Sequence, residues 1–205
     1  MRGLIGRKIG MTRVFDSNGH VVPVTVLEAG PCQVTQVKSI ENDGYDSVQV
    51  GFKEAKLKHL NKPLRGHFDK ASVTPTRVLA EFKKVPNFEY KPGQVFNVGL
   101  FKEGDYVTVS GKSKGHGFSG TIKKYSHSQQ RKTHGQGDTH RHVGSIGAAS
   151  YPSRVFPGKK MPGRYGNKKV SVKSLEVIKI DENNNQILLK GSIPGAPNGI
   201  VVITR

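Results

Sequence analysis

Between residues 111 and 170 the chain carries 13 Lys or Arg and a single acid, Asp138. The same stretch holds 11 of the 25 glycines and 5 of the 8 histidines. No long apolar run passes through it, and neither a period of 2 nor one of 3.6 is sustained. A segment of this composition buries too little apolar surface to offset the entropy of ordering its own backbone. It needs a polyanion to hold its shape, and the expected polyanion is nucleic acid.

The remaining residues, 1–110 and 171–205, have 20 basic and 14 acidic side chains, so most of the net charge of +18 lies in one place. Charge concentrated in this way argues for a binding surface, whereas an even spread would argue mainly for solubility. Cys32 is the only cysteine. It leaves no internal disulfide and no multi-thiolate zinc site, fits a reducing cytosol, and is expected in the core. No run of 18 apolar residues is present to cross a membrane. Met1 to Met11 is basic but lacks a long apolar segment, so it is not read as a signal peptide.

The flanking sequence reads as strands. Val21 to Leu27 is rich in β-branched residues and follows the turn signal Asp16-Ser17-Asn18-Gly19. Cys32 to Ile40 and Tyr45 to Val50 are expected to pair antiparallel across Asn42-Asp43-Gly44. Near 53–72 a cationic stretch with Leu57, Leu60 and Leu64 predicts a helix that Pro63 and Gly66 keep short. Further strands are expected at Val78 to Val85, Val95 to Val98 and Tyr106 to Val109. Others follow at Val170 to Val172, Leu175 to Ile180, Ile187 to Lys190 and Ile200 to Ile203. Many short strands joined by Gly and Pro turns indicate a barrel. The expectation is a mainly β body over 1–110 and 171–205, with a basic, Gly-rich extension at 111–170 inserted between two of its strands. A there-and-back excursion with about 20 residues per limb would reach roughly 60–70 Å if extended.

Several constellations inside 111–170 suggest chemistry and fail on context. Gly115-His116-Gly117-Phe118-Ser119-Gly120 matches the dinucleotide fingerprint G-x-G-x-x-G. It is followed by Thr121-Ile122-Lys123-Lys124-Tyr125 and polar residues in place of a long amphipathic helix. These glycines are better used for close approach of backbone N–H groups to phosphates. Gly111-Lys112-Ser113 lacks the earlier glycine of a P-loop, whose place is Tyr106. His134, Asp138, His140 and His142 have metal-ligand spacing, but Lys132 and Arg141 beside them oppose a dication. A triad of Ser145, His140 and Asp138 has no nucleophile elbow. The expected roles of these histidines are stacking on bases and hydrogen bonding to ribose or phosphate.

The run Lys159-Lys160-Met161-Pro162-Gly163-Arg164-Tyr165-Gly166-Asn167-Lys168-Lys169 mixes cations with an aromatic ring and permissive backbone positions. That mixture suits RNA: cations meet phosphates, rings stack on unpaired bases, and glycines let the backbone enter narrow grooves. Arg2, Arg7, Lys8 and Arg13 form a second, weaker cationic patch.

Three motifs, in order along the chain, resemble one family. Gly3-Leu4-Ile5-Gly6-Arg7-Lys8-Ile9-Gly10-Met11-Thr12 is similar to the opening of bacterial large-subunit ribosomal protein three. Ser113-Lys114-Gly115-His116-Gly117-Phe118-Ser119-Gly120 is similar to its central signature, and Val155-Phe156-Pro157-Gly158-Lys159-Lys160-Met161-Pro162-Gly163 to its basic loop. The resemblance implies a six-stranded translation-protein-type β-barrel with a long basic irregular extension and one or two short helices. It implies a non-enzymatic, cytoplasmic constituent of the large subunit. Such a protein binds 23S rRNA near its 3′ end, nucleates assembly, and neighbours large-subunit proteins fourteen and nineteen. It also implies that about Ser126 to Asn167 approaches the peptidyl transferase centre. Two departures are mild: Thr108 stands where relatives often have Asp, and Lys124 where they have Arg. Lys124 keeps the charge but loses the bidentate fork. Ser150 stands where some relatives carry an N-methylated glutamine, so that modification is not carried over.

The expected RNA-binding residues are therefore the N-terminal cations named above together with Lys112, Lys114, His116, Lys123 and Lys124. Arg131, Lys132, His134, His140, Arg141 and His142 follow. Tyr151, Arg154, Lys159, Lys160, Arg164, Tyr165, Lys168 and Lys169 complete the set. Arg141, His142 and Tyr151 are the expected braces for RNA near the active centre. No cofactor or metal is expected. An RNA chaperone acting off the ribosome would share this charge pattern, while an enzyme would need a general base that the acid-poor segment lacks.

Overall fold

The structure, a computed structural model, describes residues 2–86 and 88–205; Met1, where the expected body begins, and Asn87 lie outside the described residues. The chain divides into two compact units, one made of Met1–Ser113 with Lys169–Arg205 and the other of Lys114–Lys168. The strands are β1 (Gly3–Phe15), β2 (Val21–Ala29), β3 (Cys32–Lys38), β4 (Ser47–Glu54), β5 (Thr76–Lys83) and β6 (Val95–Phe96). They continue with β7 (Tyr106–Lys112), β8 (Gly117–Ser119), β9 (Gly163–Tyr165), β10 (Lys169–Asp181), β11 (Gln186–Lys190) and β12 (Ile200–Thr204). Three short helices are present among the described residues, α1 (Ile40–Asp43), α2 (Lys62–Ala71) and α3 (Thr121–Tyr125).

Six strands close into a barrel in the order β1-β12-β7-β10-β11-β2, every pairing antiparallel. The expected mainly β fold with a six-stranded barrel is what the chain forms. Period-2 alternation drives it: Val107 and Val109, Ile187 and Leu189, and Val201 and Ile203 are buried while the residues between them are half-exposed. The bend in β10 between Val172 and Leu175, read as two runs in the sequence, is a bulge in one continuous strand.

Not every strand belongs to the barrel. β3, β4, β5 and β6 form a separate antiparallel sheet in the order β5-β4-β3-β6. Gly30 and Pro31 separate β2 from β3, and Gly30 sits at φ +86, where an L side chain is strained. That turn carries the chain out of the barrel ladder, so β3 pairs with β4 and β6 instead of continuing alongside β2. Asn42-Asp43-Gly44 does reverse the chain, as the one-turn helix α1 closed by Gly44 at φ 79.

Three glycines and three cations interrupt the first strand, yet β1 is 13 residues long. Its glycines are there for space. A Cβ on Gly3 would lie 2.5 Å from the Ile203 carbonyl oxygen and from the Phe82 ring, and one on Gly6 would lie 2.8 Å from the Glu28 carbonyl oxygen. Leu4 and Ile5 are consecutive and both fully buried, so this part of β1 is covered on both faces. One core cluster accordingly joins barrel residues such as Leu4, Val109 and Ile203 to Val34, Val50 and Phe82 of the second sheet.

The helix near 53–72 is not anchored by the expected leucines. Leu57 lies in a 3-10 turn and Leu64 in α2, and both are exposed. Phe68 is the buried residue of α2. Pro63 sits in the first turn, where a missing N–H costs nothing, so it starts the helix where a terminator had been expected.

The second unit has a different physical basis. Its regular structure is the β8–β9 ribbon and α3, and only Ser119 and Thr121 are buried. From residue 122 to 168 no side chain is buried at all. Backbone hydrogen bonds such as Gln130 N–H to His140 O at 3.1 Å and His142 N–H to Thr139 O at 3.2 Å hold its loops locally.

Candidate nucleic-acid interface

The N-terminal cations differ sharply in availability. Lys8 is buried and its ammonium donates to the Ile193 carbonyl at 3.0 Å, so it is a structural cation inside the barrel. Arg7 is half-buried and spends its guanidinium on Glu28, its cross-strand partner, with Nε donating at 2.8 Å. Arg2 and Arg13 are exposed.

Lys112 ends β7 and Lys169 begins β10, and the two are register partners. Within the second unit, His116 lies against Tyr165 with ring centroids 5.0 Å apart and planes 22° from parallel. The His116 N–H also donates to the Tyr165 carbonyl at 2.9 Å. Asn167 N–H reaches the Lys114 carbonyl at 3.4 Å, tying the two ends of the ribbon.

α3 places Lys123 and Lys124 in its last turn. The Lys124 ammonium sits 5.0 Å from the centre of the Tyr125 ring, and Lys160 sits 5.8 Å from the same ring. Two ammonium groups on one ring satisfy the ring's quadrupole and repel each other, a balance an anion would improve. Arg154 lies 5.5 Å over the Phe156 ring.

In the loop, His140 Nδ1 is 3.3 Å from the Arg131 carbonyl oxygen, and His134 holds a left-handed φ of 63. Lys132, Arg141, His142 and Lys159 are exposed, and Tyr151 more so, at 89 %. No hydrogen bond or ring contact joins Arg141, His142 and Tyr151 to one another. Arg164 is on β9 and Lys168 follows it, both exposed. Ser150 is exposed, and its carbonyl accepts a hydrogen bond from the Ser153 hydroxyl.

Among the described residues no three of the His, Cys, Asp and Glu side chains converge as metal ligands. The G-x-G-x-x-G run forms β8 and leads into a helix of five residues, and β8 pairs antiparallel with β9. A dinucleotide fingerprint requires a parallel β-α-β unit.

Charge is handled oppositely in the two units. Five ion pairs are seen among the described residues, and all lie in the first unit. There the Glu81 carboxyl is held below its usual range, first by the Lys38 ammonium 2.7 Å away and also by hydrogen bonds from Tyr45 and Gln49. In the second unit, Lys168 apart, the lysines and arginines have no carboxylate partner among the described residues. Two rings there, Tyr125 and Phe156, stand beside cations, and a third, Phe118, is the register partner of Arg164; none was singled out from sequence. A single aromatic between glycines and serines has no periodicity to show which way it faces.

A closed barrel joined to an acid-poor cationic unit without a core of its own fits the polyanion-binding class. The comparisons narrow that class to ribosomal proteins. The family described as ribosomal protein L3 matches residues 85–187. Proteins named large ribosomal subunit protein uL3 from Thermotoga maritima and Thermotoga petrophila are each 50 % identical over 203 residues, covering 99 % of this chain and 96 % of theirs. The uL3 of Petrotoga mobilis is 48 % identical over 203 residues, covering 99 % of this chain and 94 % of its own. The chain belongs to the ribosomal protein L3 family, whose members are structural proteins and not enzymes.

Proposed function

We propose that this chain is a structural constituent of the large ribosomal subunit, in the cytoplasm, and that residues 114–168 are its principal 23S rRNA-binding segment. In this reading it binds near the 3′ end of that RNA, nucleates assembly, braces RNA near the peptidyl transferase centre and neighbours large-subunit proteins fourteen and nineteen. The carrying observation is that no side chain from 122 to 168 is buried while the unit's cations, Lys168 apart, stand without carboxylates. Phosphates supply what the protein lacks: counter-charge for the cations and a surface against which the backbone orders. Lys112, Lys114, Lys124, Arg154, Lys160 and Arg164 then meet backbone phosphates, with exposed rings beside them for unpaired bases. Arg141, His142 and Tyr151 brace nucleotides by position, with no chemistry of their own.

The test is crosslinking in intact large subunits, mapped at nucleotide resolution after a high-salt wash. The reading expects a stoichiometric protein whose crosslinks concentrate in 114–168 and fall on 23S rRNA. A protein that washes off, or crosslinks confined to the barrel, would overturn it.

A further inference from the structure

We propose that Phe118 and Arg164 form a two-part site for one unpaired nucleotide, the ring taking the base and the guanidinium an adjoining phosphate. The inference rests on the RNA-binding reading and specifies one contact within it. Phe118 is the middle residue of β8 and is 82 % exposed. Its register partner on β9 is Arg164. Register partners project from the same face of a ribbon with Cβ atoms about 4.5–5.5 Å apart, so both side chains leave the ribbon as neighbours on one face.

The opposite face is already in use. Tyr165 and Gly163 pair there with Gly117 and Ser119. Tyr165 is stacked on His116, and the buried Ser119 hydroxyl donates to the His116 carbonyl at 3.2 Å. These contacts fix the ribbon from one side and leave the Phe118 face to a ligand. Phe118 has no aromatic or cationic ring contact, and Arg164 has no hydrogen bond or carboxylate partner among the described residues. Lys124 belongs to that opposite face too, since its ammonium nitrogen lies 3.2 Å from where a Cβ on Gly163 would be.

The ligand must therefore offer a flat apolar face and negative charge together, and no acid is present to attract a cation. A nucleotide meets both demands. It must be unpaired, because stacking on a side chain needs a base free of its duplex neighbours. Phe118, at 82 % exposed, contributes too little burial to the protein to explain a ring at this position.

The experiment measures binding of the full-length protein to a 23S rRNA transcript and to a perfect RNA duplex of matched length. The variants are Phe118→Leu, Phe118→Trp and Arg164→Gln. Leu keeps most of the apolar volume and removes the π-face; Trp keeps the π-face. The expected result is about a tenfold loss of transcript affinity for Phe118→Leu, wild-type affinity for Phe118→Trp, and duplex binding indifferent to both. Arg164→Gln should lower the salt slope by about 1. A Leu variant that binds like wild type, or equal losses with Leu and Trp, overturns the stacking site and assigns the ring to an ordinary apolar contact. Wild-type protein that fails to bind the transcript at all overturns the RNA reading itself, which keeps the two failures distinct.

Discussion

Lys112 on β7 and Lys169 on β10 face each other across one rung of the barrel's antiparallel ladder. Through this rung the chain leaves the barrel and re-enters it, so the ends of the segment between them are held by barrel hydrogen bonding. Two like charges opposite each other oppose that pairing. Their presence at the stem makes sense where a third, negative group completes them.

Exchange of one charge separates folding from binding. Lys169→Glu should stabilise the free protein, by ~0.2–1 kcal/mol and nearer the low end because both side chains are exposed. The same variant should bind 23S rRNA more weakly. Urea unfolding and filter binding read the two effects, and a variant that gains or loses both together would contradict the role given to the pair.

Salt dependence measures the electrostatic share. If the second unit and its stem neutralise about 8 phosphates, log affinity should fall against log salt with a slope of roughly −6 to −7, depending on RNA form. Lys8 should not contribute, since its ammonium is buried on the Ile193 carbonyl. Lys8→Met should therefore cost stability and leave the slope unchanged. A slope near zero in the wild type would remove phosphate neutralisation from the account.

Gly3 is the residue that lets β1 lie under Phe82. Gly3→Ala places a methyl group 2.5 Å from both the Ile203 carbonyl oxygen and that ring, and overpacking of this kind costs about 1–3 kcal/mol. Chemical denaturation should show the loss; the double variant Gly3→Ala with Phe82→Leu should recover part of it. Stability equal to wild type in the single variant would mean the barrel and the second sheet are less tightly apposed.

Cys32 offers a probe with a defined pH window. Burial pushes its thiol up to about 11 from the ordinary 9.0, only partly offset by a backbone hydrogen bond at Ile5. Between those values the folded protein keeps a proton that the unfolded chain has lost, so stability declines as pH rises from about 9 to about 11. Replacing Cys32 by Ala should flatten that decline. Thiol alkylation at pH 8 should proceed only at the rate of unfolding, and rapid labelling of folded protein would show that the site opens.

Much of the barrel could be read in advance because β7 alternates, β11 and β12 are short apolar runs, and their turns carry Gly, Pro, Asn and Asp. β1 could not. Its glycines and cations look like a loop until Phe82 and Ile203 are seen pressing on it, and that contact is non-local. The second sheet was hidden for a related reason: strand composition does not say which ladder a strand joins, and the left-handed turn at Gly30 decides it. In the second unit the charge was legible at once, because composition needs no geometry. The pairing of Phe118 with Arg164 was not, since it depends on a three-residue ribbon formed by segments about 45 residues apart.

Amide hydrogen exchange across residues 114–168, in the free protein and in assembled large subunits, addresses the central claim most directly. The account predicts rapid exchange from about 126 to 162 in the free protein, where nothing is buried, and strong protection once 23S rRNA is bound. Equal protection in the two states would contradict it.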